Sequence, residues 1–150
     1  MQMFLITQDH YSLEQLSELI HSKQLLQLDA QTSSSVKNCR LVLDEMIKES
    51  KEPIYGINTG FGSLHNKSIS KENLGRLQRN LVMSHACGMG EQVPDEVVRW
   101  MLLLKILGIS KGHSGVQLAT VNRLIDFYNE GIYPKVYQQG SLGASGDLSP

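Results

Sequence analysis

The sequence contains few of the features that mark secreted or nucleic-acid-binding proteins. It has 2 cysteines in 150 residues, Cys39 and Cys87, which form no CxxC pair, so a disulfide framework is excluded and a reducing cytoplasm is the expected location. The 14 Lys and Arg against 15 Asp and Glu leave a net charge of -1 without a basic block. This balance argues against nucleic acid or an anionic membrane as a partner.

Long apolar runs and metal-ligand spacings are also missing. The longest apolar stretch, residues 100–109, is interrupted by Lys105 and is much shorter than the roughly 20 residues that span a bilayer. The N-terminus has no basic region and no small-residue cleavage site, so no secretory signal is predicted. The 5 histidines show no HExxH or similar spacing, and we therefore expect no metal ion.

Hydrophobic residues make up 41% of the chain, and most of them recur at helical spacing. Five segments share this pattern: 13–20, 36–47, 74–81, 97–107 and 121–128. Ser12 and Gln15 form a capping-box pair that predicts a first helix beginning at Leu13. The fourth segment, after Pro94, is apolar over much of its circumference, so we expect it to be enclosed by neighbours. Strictly alternating runs are short, and the predicted fold class is mainly α.

Two glycine-rich segments interrupt the helical pattern. Residues 54–62 contain three glycines and predict a shaped loop, and residues 140–150 are rich in glycine and serine. The second segment lacks the lysine of a phosphate-binding P-loop. It also has Asp147 where the G-x-S-x-G nucleophile elbow needs a glycine. Neither motif therefore explains it.

A third interpretation of this segment uses its backbone as the reagent. The amide nitrogen of Gly146 can attack the carbonyl carbon of Ala144 and close a five-membered ring, because glycine has no Cβ to block the approach. Loss of two water molecules, one of them carrying the Ser145 hydroxyl, leaves a methylidene-imidazolone with an electrophilic exocyclic carbon. Ala-Ser-Gly also occurs in ordinary loops, so a flexible connector without chemistry is the alternative.

Three segments together resemble, in this order, the aromatic amino acid ammonia-lyase family: 55–62 (YGINTGFG), 77–86 (LQRNLVMSHA) and 140–150 (GSLGASGDLSP). The resemblance runs from about the second helix to Pro150, with Leu142 and Ser149 replacing the usual valine and alanine. It implies the helical, aspartase-like fold of that family with loop-rich active-site segments. Residues 1–150 are then the N-terminal portion of a longer lyase, without a second domain and ending just after the Ala-Ser-Gly loop.

The resemblance also implies catalytic roles. Ala144, Ser145 and Gly146 would form the electrophile without an exogenous cofactor, and the carbon derived from Ser145 would take the amine of the substrate. Tyr55 matches the tyrosine that removes the β-carbon proton, although an ordinary tyrosine titrates at about pH 10 and would need a favourable local field. From the residues alone, an aromatic anchor of its loop is the favoured role of Tyr55, and the family match reverses that preference. Gly60 would support a loop that closes over the substrate.

Ser84 and His85 bear on the choice of substrate. Family members that act on histidine resemble this Ser-His pair, and an imidazole at this position can hydrogen-bond the imidazole of the substrate. The alternative for His85 is a satisfied core histidine near a helix end. Asp147 either orients the cyclising backbone or caps a helix that begins at Leu148.

The implied reaction is the elimination of ammonia from L-histidine to give trans-urocanate, the first step of histidine degradation, in a homotetramer. Because active sites of this family combine side chains from several subunits, we expect the 150 residues alone to be inactive. Two alternatives stay open. One is a tyrosine or phenylalanine ammonia-lyase or aminomutase with the same electrophile, and the other is a non-catalytic helical interaction domain.

Overall fold

The computed structural model describes residues 2–22, 24–49, 54, 57, 59, 69 and 71–140. The chain divides into two compact units, the first made of Met1–Glu45 and Pro94–Lys135 and the second of Met46–Val93 and Val136–Pro150. The elements in chain order are β1 (Met3–Ile6), α1 (Leu13–His21), β2 (Leu25–Leu28), α2 (Ala30–Glu49), α3 (Lys71–His85), β3 (Met89–Gln92), α4 (Asp95–Ser110), α5 (Leu118–Asn129) and β4 (Tyr137–Gln139). No helix in the described ranges is both long and apolar enough to cross a membrane.

The mainly helical prediction is confirmed, and all five predicted helices are present. The capping box of α1 forms as expected. The Ser12 hydroxyl accepts from the Gln15 amide at 3.3 Å, and the Gln15 side chain accepts from the Ser12 amide at 2.8 Å. These two bonds satisfy backbone donors that the first turn of a helix leaves unpaired, which fixes the helix start at Leu13.

The four short strands are elements that the sequence analysis did not predict. In the first unit, β1 and β2 pair in parallel with Met3 opposite Leu25 and Ile6 opposite Leu28. Helix α1 forms the crossover between them, as parallel pairing requires. In the second unit, β3 and β4 pair antiparallel, with Met89 opposite Gln139.

The core of the first unit forms where α4 and α5 pack with α2 and the β1–β2 pair. Its most buried side chains are Ile6, Leu26, Val36, Leu103, Ile106 and Val121. The expectation that α4 is enclosed holds for one face only, because Val97, Met101 and Leu104 on its other side are exposed. A helix that is apolar over much of its circumference is therefore buried on one face only in this chain.

The turn between α4 and α5 passes close to α2. Gly112 and Gly115 both have positive φ angles, +74° and +64°, which L residues with side chains rarely adopt. The Gly115 amide donates to the Cys39 sulfur at 3.3 Å. Glycine at these two positions lets the backbone approach α2 without a Cβ in the way.

Candidate active site

Ser84 and His85 are the last two residues of α3, in the second unit. The Ser84 hydroxyl and His85 Nδ1 are 2.9 Å apart and share a hydrogen bond in which either atom can be the donor. Ser84 is exposed and His85 is partly buried. The hydrogen bond restrains the imidazole ring and couples its tautomer to the serine hydroxyl. A restrained imidazole at a helix end can donate or accept a hydrogen bond to a ligand.

The chain turns sharply after this helix. The Cys87 amide donates to the His85 carbonyl at 2.9 Å, and β3 begins at Met89. Gly88 lies against the ring of Tyr137, where an added Cβ would come within 2.8 Å of Tyr137 Cδ2. A glycine is therefore needed for the close approach between this turn and β4.

The β3–β4 pair ends at Gln139, directly before Gly140, the first residue of the segment that the sequence predicts as the electrophile. Met89, four residues after His85, is opposite Gln139, and the Val93 amide donates to the Val136 carbonyl at 2.8 Å. Paired residues in adjacent strands have Cα atoms about 5 Å apart. Gly140, the first residue of the predicted segment, therefore follows directly from a strand that is anchored next to the end of α3.

The remaining predicted site residues, Tyr55, Gly60, Ala144, Ser145, Gly146 and Asp147, lie outside the described residues. Their distances from Ser84 and His85 stay predictions. The β3–β4 pair, which follows the end of α3, is a feature that the sequence analysis missed. Its local signal is weak because all four residues of β3 are exposed and β4 has three residues, so neither strand shows a buried alternation. Among the described residues, His, Cys, Asp and Glu side chains form no group of three that would hold a metal ion.

The described residues are mainly helical, as expected for the helical lyases that the three sequence segments resemble. A sequence model of the aromatic amino acid lyases matches residues 11–150, and the chain belongs to that family. The family uses a methylidene-imidazolone group that it derives from its own chain.

Individual relatives agree with this assignment. The chain is 45% identical over 141 residues to a histidine ammonia-lyase of Vibrio parahaemolyticus, which covers 94% of this chain and 27% of that protein. Among solved structures it is similar to the ergothionase of Treponema denticola, with a TM-score of 0.85 and 30% identity over 93% of this chain and 28% of the other. The histidine ammonia-lyase of Trypanosoma cruzi gives a TM-score of 0.77 and 29% identity over 91% of this chain and 26% of the other. The chain thus spans about a quarter of the length of these relatives.

Proposed function

We propose that the protein carrying this chain is a histidine ammonia-lyase that converts L-histidine to trans-urocanate and ammonia, acting in the cytoplasm as a homotetramer. The observation that carries the proposal is the Ser84–His85 pair at the end of α3, next to the strand pair that leads into Gly140. The similarity to the histidine ammonia-lyase of Vibrio parahaemolyticus supports the same substrate.

His85 is the residue that we propose to recognise the substrate ring. An imidazole can hydrogen-bond another imidazole, whereas a leucine or phenylalanine at the same position cannot. Ser84, bonded to Nδ1 at 2.9 Å, is the positioning residue that fixes the His85 ring orientation. Sites built to hydrogen-bond a polar group reject analogues that lack this group, because the buried partner is then left unpaired.

The elimination step requires a base and a way to release ammonia. Tyr55 is proposed to take the proton from the β-carbon of the substrate, with Gly60 in the loop that closes the site. The sequence Ala144-Ser145-Gly146 has the composition that self-cyclisation needs, and the group that it forms supplies an electrophilic carbon that makes the amine a better leaving group. Asp147 is proposed to orient the backbone for that cyclisation.

The mass of the peptide containing Gly140–Pro150 tests the electrophile directly. In the longest native product that carries the chain, we expect this peptide to be lighter by two water molecules. Ser145→Ala removes the hydroxyl that is eliminated and should abolish the loss of that water. Ser141→Ala, in the same segment, should leave the mass deficit unchanged. An unmodified peptide in the native product would contradict the lyase proposal and favour the non-catalytic interaction domain.

Turnover of several amino acids tests the substrate separately from the electrophile. The fold does not select the substrate, because the Treponema denticola ergothionase and the Pantoea agglomerans phenylalanine aminomutase also match it, with TM-scores of 0.85 and 0.83. We expect turnover of L-histidine and little or none of L-tyrosine, L-phenylalanine or ergothioneine. His85→Leu should reduce kcat/KM for L-histidine by about 100-fold or more, since the ring contact is lost.

The matched variant Ser84→Ala keeps the imidazole and should have a smaller effect than His85→Leu. Faster turnover of L-tyrosine or L-phenylalanine than of L-histidine by the unmodified protein would assign it to the other substrate classes.

A further inference from the structure

Two glycines follow α3 closely and lie against the strand that leads into Gly140. Gly88 comes three residues after His85, and Gly90 is the second residue of β3. Both belong to the second unit, as do β4 and the Ser84–His85 pair. The contacts of these glycines therefore bear on how the end of α3 is placed relative to the chain that enters Gly140.

Gly88 leaves no room for a side chain. An added Cβ would lie 2.8 Å from Tyr137 Cδ2 and 3.2 Å from Tyr137 Cβ. Both distances are shorter than the optimal separation of two carbon atoms, which is about 3.5–4.0 Å. Rotation of the tyrosine ring does not relieve the second contact, because the backbone of β4 determines where Tyr137 Cβ lies. A side chain at Gly88 would therefore push β4 away from the end of α3.

Gly90 lies in an irregular part of the strand pair. The strands pair at two points, Met89 with Gln139 and Gln92 with Tyr137. Between these points β3 advances by three positions and β4 by two, so β3 contains one extra residue, as in a β-bulge. Gly90 lies between the two points with a φ of +80°, which residues with a side chain rarely adopt. The bulge thus depends on a glycine at this position.

Burial does little to fix the register of this strand pair. All four residues of β3 are exposed, and so are Gln138 and Gln139 of β4. Strands without a buried apolar face specify their register weakly. The close approach at Gly88 and the bulge at Gly90 are therefore the features that fix how β4 lies against the chain after α3.

We propose that Gly88 and Gly90 are positioning residues of the lyase reaction, which set the distance between His85 and the chain that enters Gly140. The inference rests on the proposed function, in which His85 binds the substrate ring and the segment after Gly140 supplies the electrophilic carbon. The glycines act through β4 and not on the substrate itself. A displacement of about 1 Å between reacting groups can lower a rate by about 100-fold.

The experiment measures kcat and KM for L-histidine in the longest native product that carries the chain, with and without Gly88→Ala. We expect kcat to fall by about 10- to 100-fold, because the substrate and the electrophile are no longer at the productive distance. KM should change by less than about 3-fold, because His85 still binds the ring. The peptide containing Gly140–Pro150 should keep its deficit of two water molecules, because the ring closes within that segment.

Gly75→Ala is the matched control. Gly75 lies in α3 of the same unit, and an added Cβ there would meet nothing within 4 Å, so kcat and KM should not change. The double variant Gly88→Ala/Tyr137→Ala tests the route of the effect, because it removes the ring atoms that the new Cβ would meet. If Gly88 acts through this contact, the losses in kcat are not additive, and the double variant should be at least as active as Gly88→Ala.

Gly90 provides a second test in case Gly88→Ala does not fold. Asparagine tolerates a positive φ, whereas alanine does not, so Gly90→Asn and Gly90→Ala both add a side chain but only the second strains the bulge. The atom that an added Cβ would approach most closely, at 3.3 Å, is Cδ of Gln139, which belongs to the end of a flexible side chain and can move. We expect a kcat several-fold lower for Gly90→Ala than for Gly90→Asn.

Three results would overturn the proposal. The first is a lower melting temperature of Gly88→Ala with an unchanged kcat, which would show a structural role only. The second is a higher KM with an unchanged kcat, and the third is an equal kcat of the two Gly90 variants. Failure of the proposed function has a different signature, because the unmodified protein would then form no urocanate, and the inference would fail with it before any substitution is made.

Discussion

At the scale of single residues, Gly112 and Gly108 differ in whether their surroundings leave room for a side chain, although they are only four positions apart. Gly112 has a φ of +74°, and an added Cβ would lie 3.0 Å from the Ser35 carbonyl carbon. Gly108 lies within α4, and a Cβ there would meet nothing within 4 Å. We expect Gly112→Ala to lower the free energy of unfolding by more than about 1 kcal/mol, because both the backbone conformation and the space oppose a side chain.

The control for this prediction is Gly108→Ala, which should raise the free energy of unfolding by up to about 1 kcal/mol, since alanine is the better helix former. Urea denaturation of both variants provides the measurement. Equal effects of the two substitutions would show that the close approach at Gly112 does not contribute to stability.

Asp29 gives a prediction of pH dependence. Its Oδ1 accepts from the Thr32 amide at 2.7 Å, at the start of α2. The side-chain and backbone hydrogen bonds from Thr32 lower the pKa of Asp29 below its ordinary value of 3.8. Because the folded-state pKa is the lower one, the contribution of Asp29 to stability is complete above about pH 4 and is lost as the pH falls through the folded-state pKa.

Melting temperatures of the unmodified chain and of Asp29→Asn across this range measure the effect. Asparagine can still accept the Thr32 hydrogen bond but does not titrate. We expect the advantage of aspartate to be present at neutral pH and to shrink below about pH 4. A difference that stays constant over the whole range would mean that Asp29 does not contribute through its charge.

At the scale of elements, α4 contains two adjacent leucines with opposite environments. Leu103 is 0% exposed and belongs to the core of the first unit, whereas Leu104 is 51% exposed. Leu103→Ala should lower the free energy of unfolding by about 2–5 kcal/mol, because it removes packed methyl groups and leaves a cavity. Leu104→Ala should change it by about 0.5 kcal/mol or less. Urea denaturation of the two variants tests which face of α4 is packed, and similar losses would contradict the one-sided burial.

The pairing of β2 with α5 depends on one side chain. The Asn129 side chain accepts a hydrogen bond from the Leu26 amide and donates one to the Leu26 carbonyl. Leu26 is 1% exposed. These are the two backbone groups that a neighbouring strand would otherwise pair. Asn129→Ala leaves a buried N–H and a buried C=O without partners, and we expect a loss of about 2–4 kcal/mol. Asn122→Ala, at an exposed position of the same helix, should have little effect. A comparably small effect of Asn129→Ala in thermal or urea unfolding would show that water replaces the amide.

The helices could be predicted from the sequence and the strands could not, because the two kinds of element differ in length. The helices have 9 to 20 residues and repeat their apolar spacing over two or more turns, so all five could be predicted, including the start of α1 at Leu13. Strands β1 and β2 have four residues each, which gives only two positions per face. β2 also contacts α5 through the hydrogen bonds between Leu26 and Asn129, which are 103 residues apart. No local pattern contains that information.

At the scale of the whole molecule, contacts between distant residues also limit how much of the candidate site could be predicted. The Ser84–His85 pair lies at the end of α3, near the helix end that the sequence analysis considered for His85. Tyr55, Gly60 and residues 144–147 stay predictions. The contact between Arg99 and Tyr128, with the guanidinium carbon 5.2 Å from the ring centre, could not have been predicted, because Arg99 follows Asp95 and Glu96 in a pattern typical of a solvent-facing first turn. Tyr128 likewise matched the apolar stripe of α5, and only the packing of α4 against α5 brings the two residues together.

The final prediction concerns how much of the protein the reaction needs. The chain spans 27% of the length of its relative from Vibrio parahaemolyticus, and the family resemblance implies sites assembled from several subunits. We expect the isolated 150 residues to produce no urocanate from L-histidine, while the longest native product does, as followed by the ultraviolet absorbance of urocanate. Circular dichroism of the isolated chain is the control, because helical content near that of the five described helices separates an incomplete site from an unfolded chain. Urocanate formation by the folded, isolated chain would show that one copy of these residues contains the whole catalytic machinery.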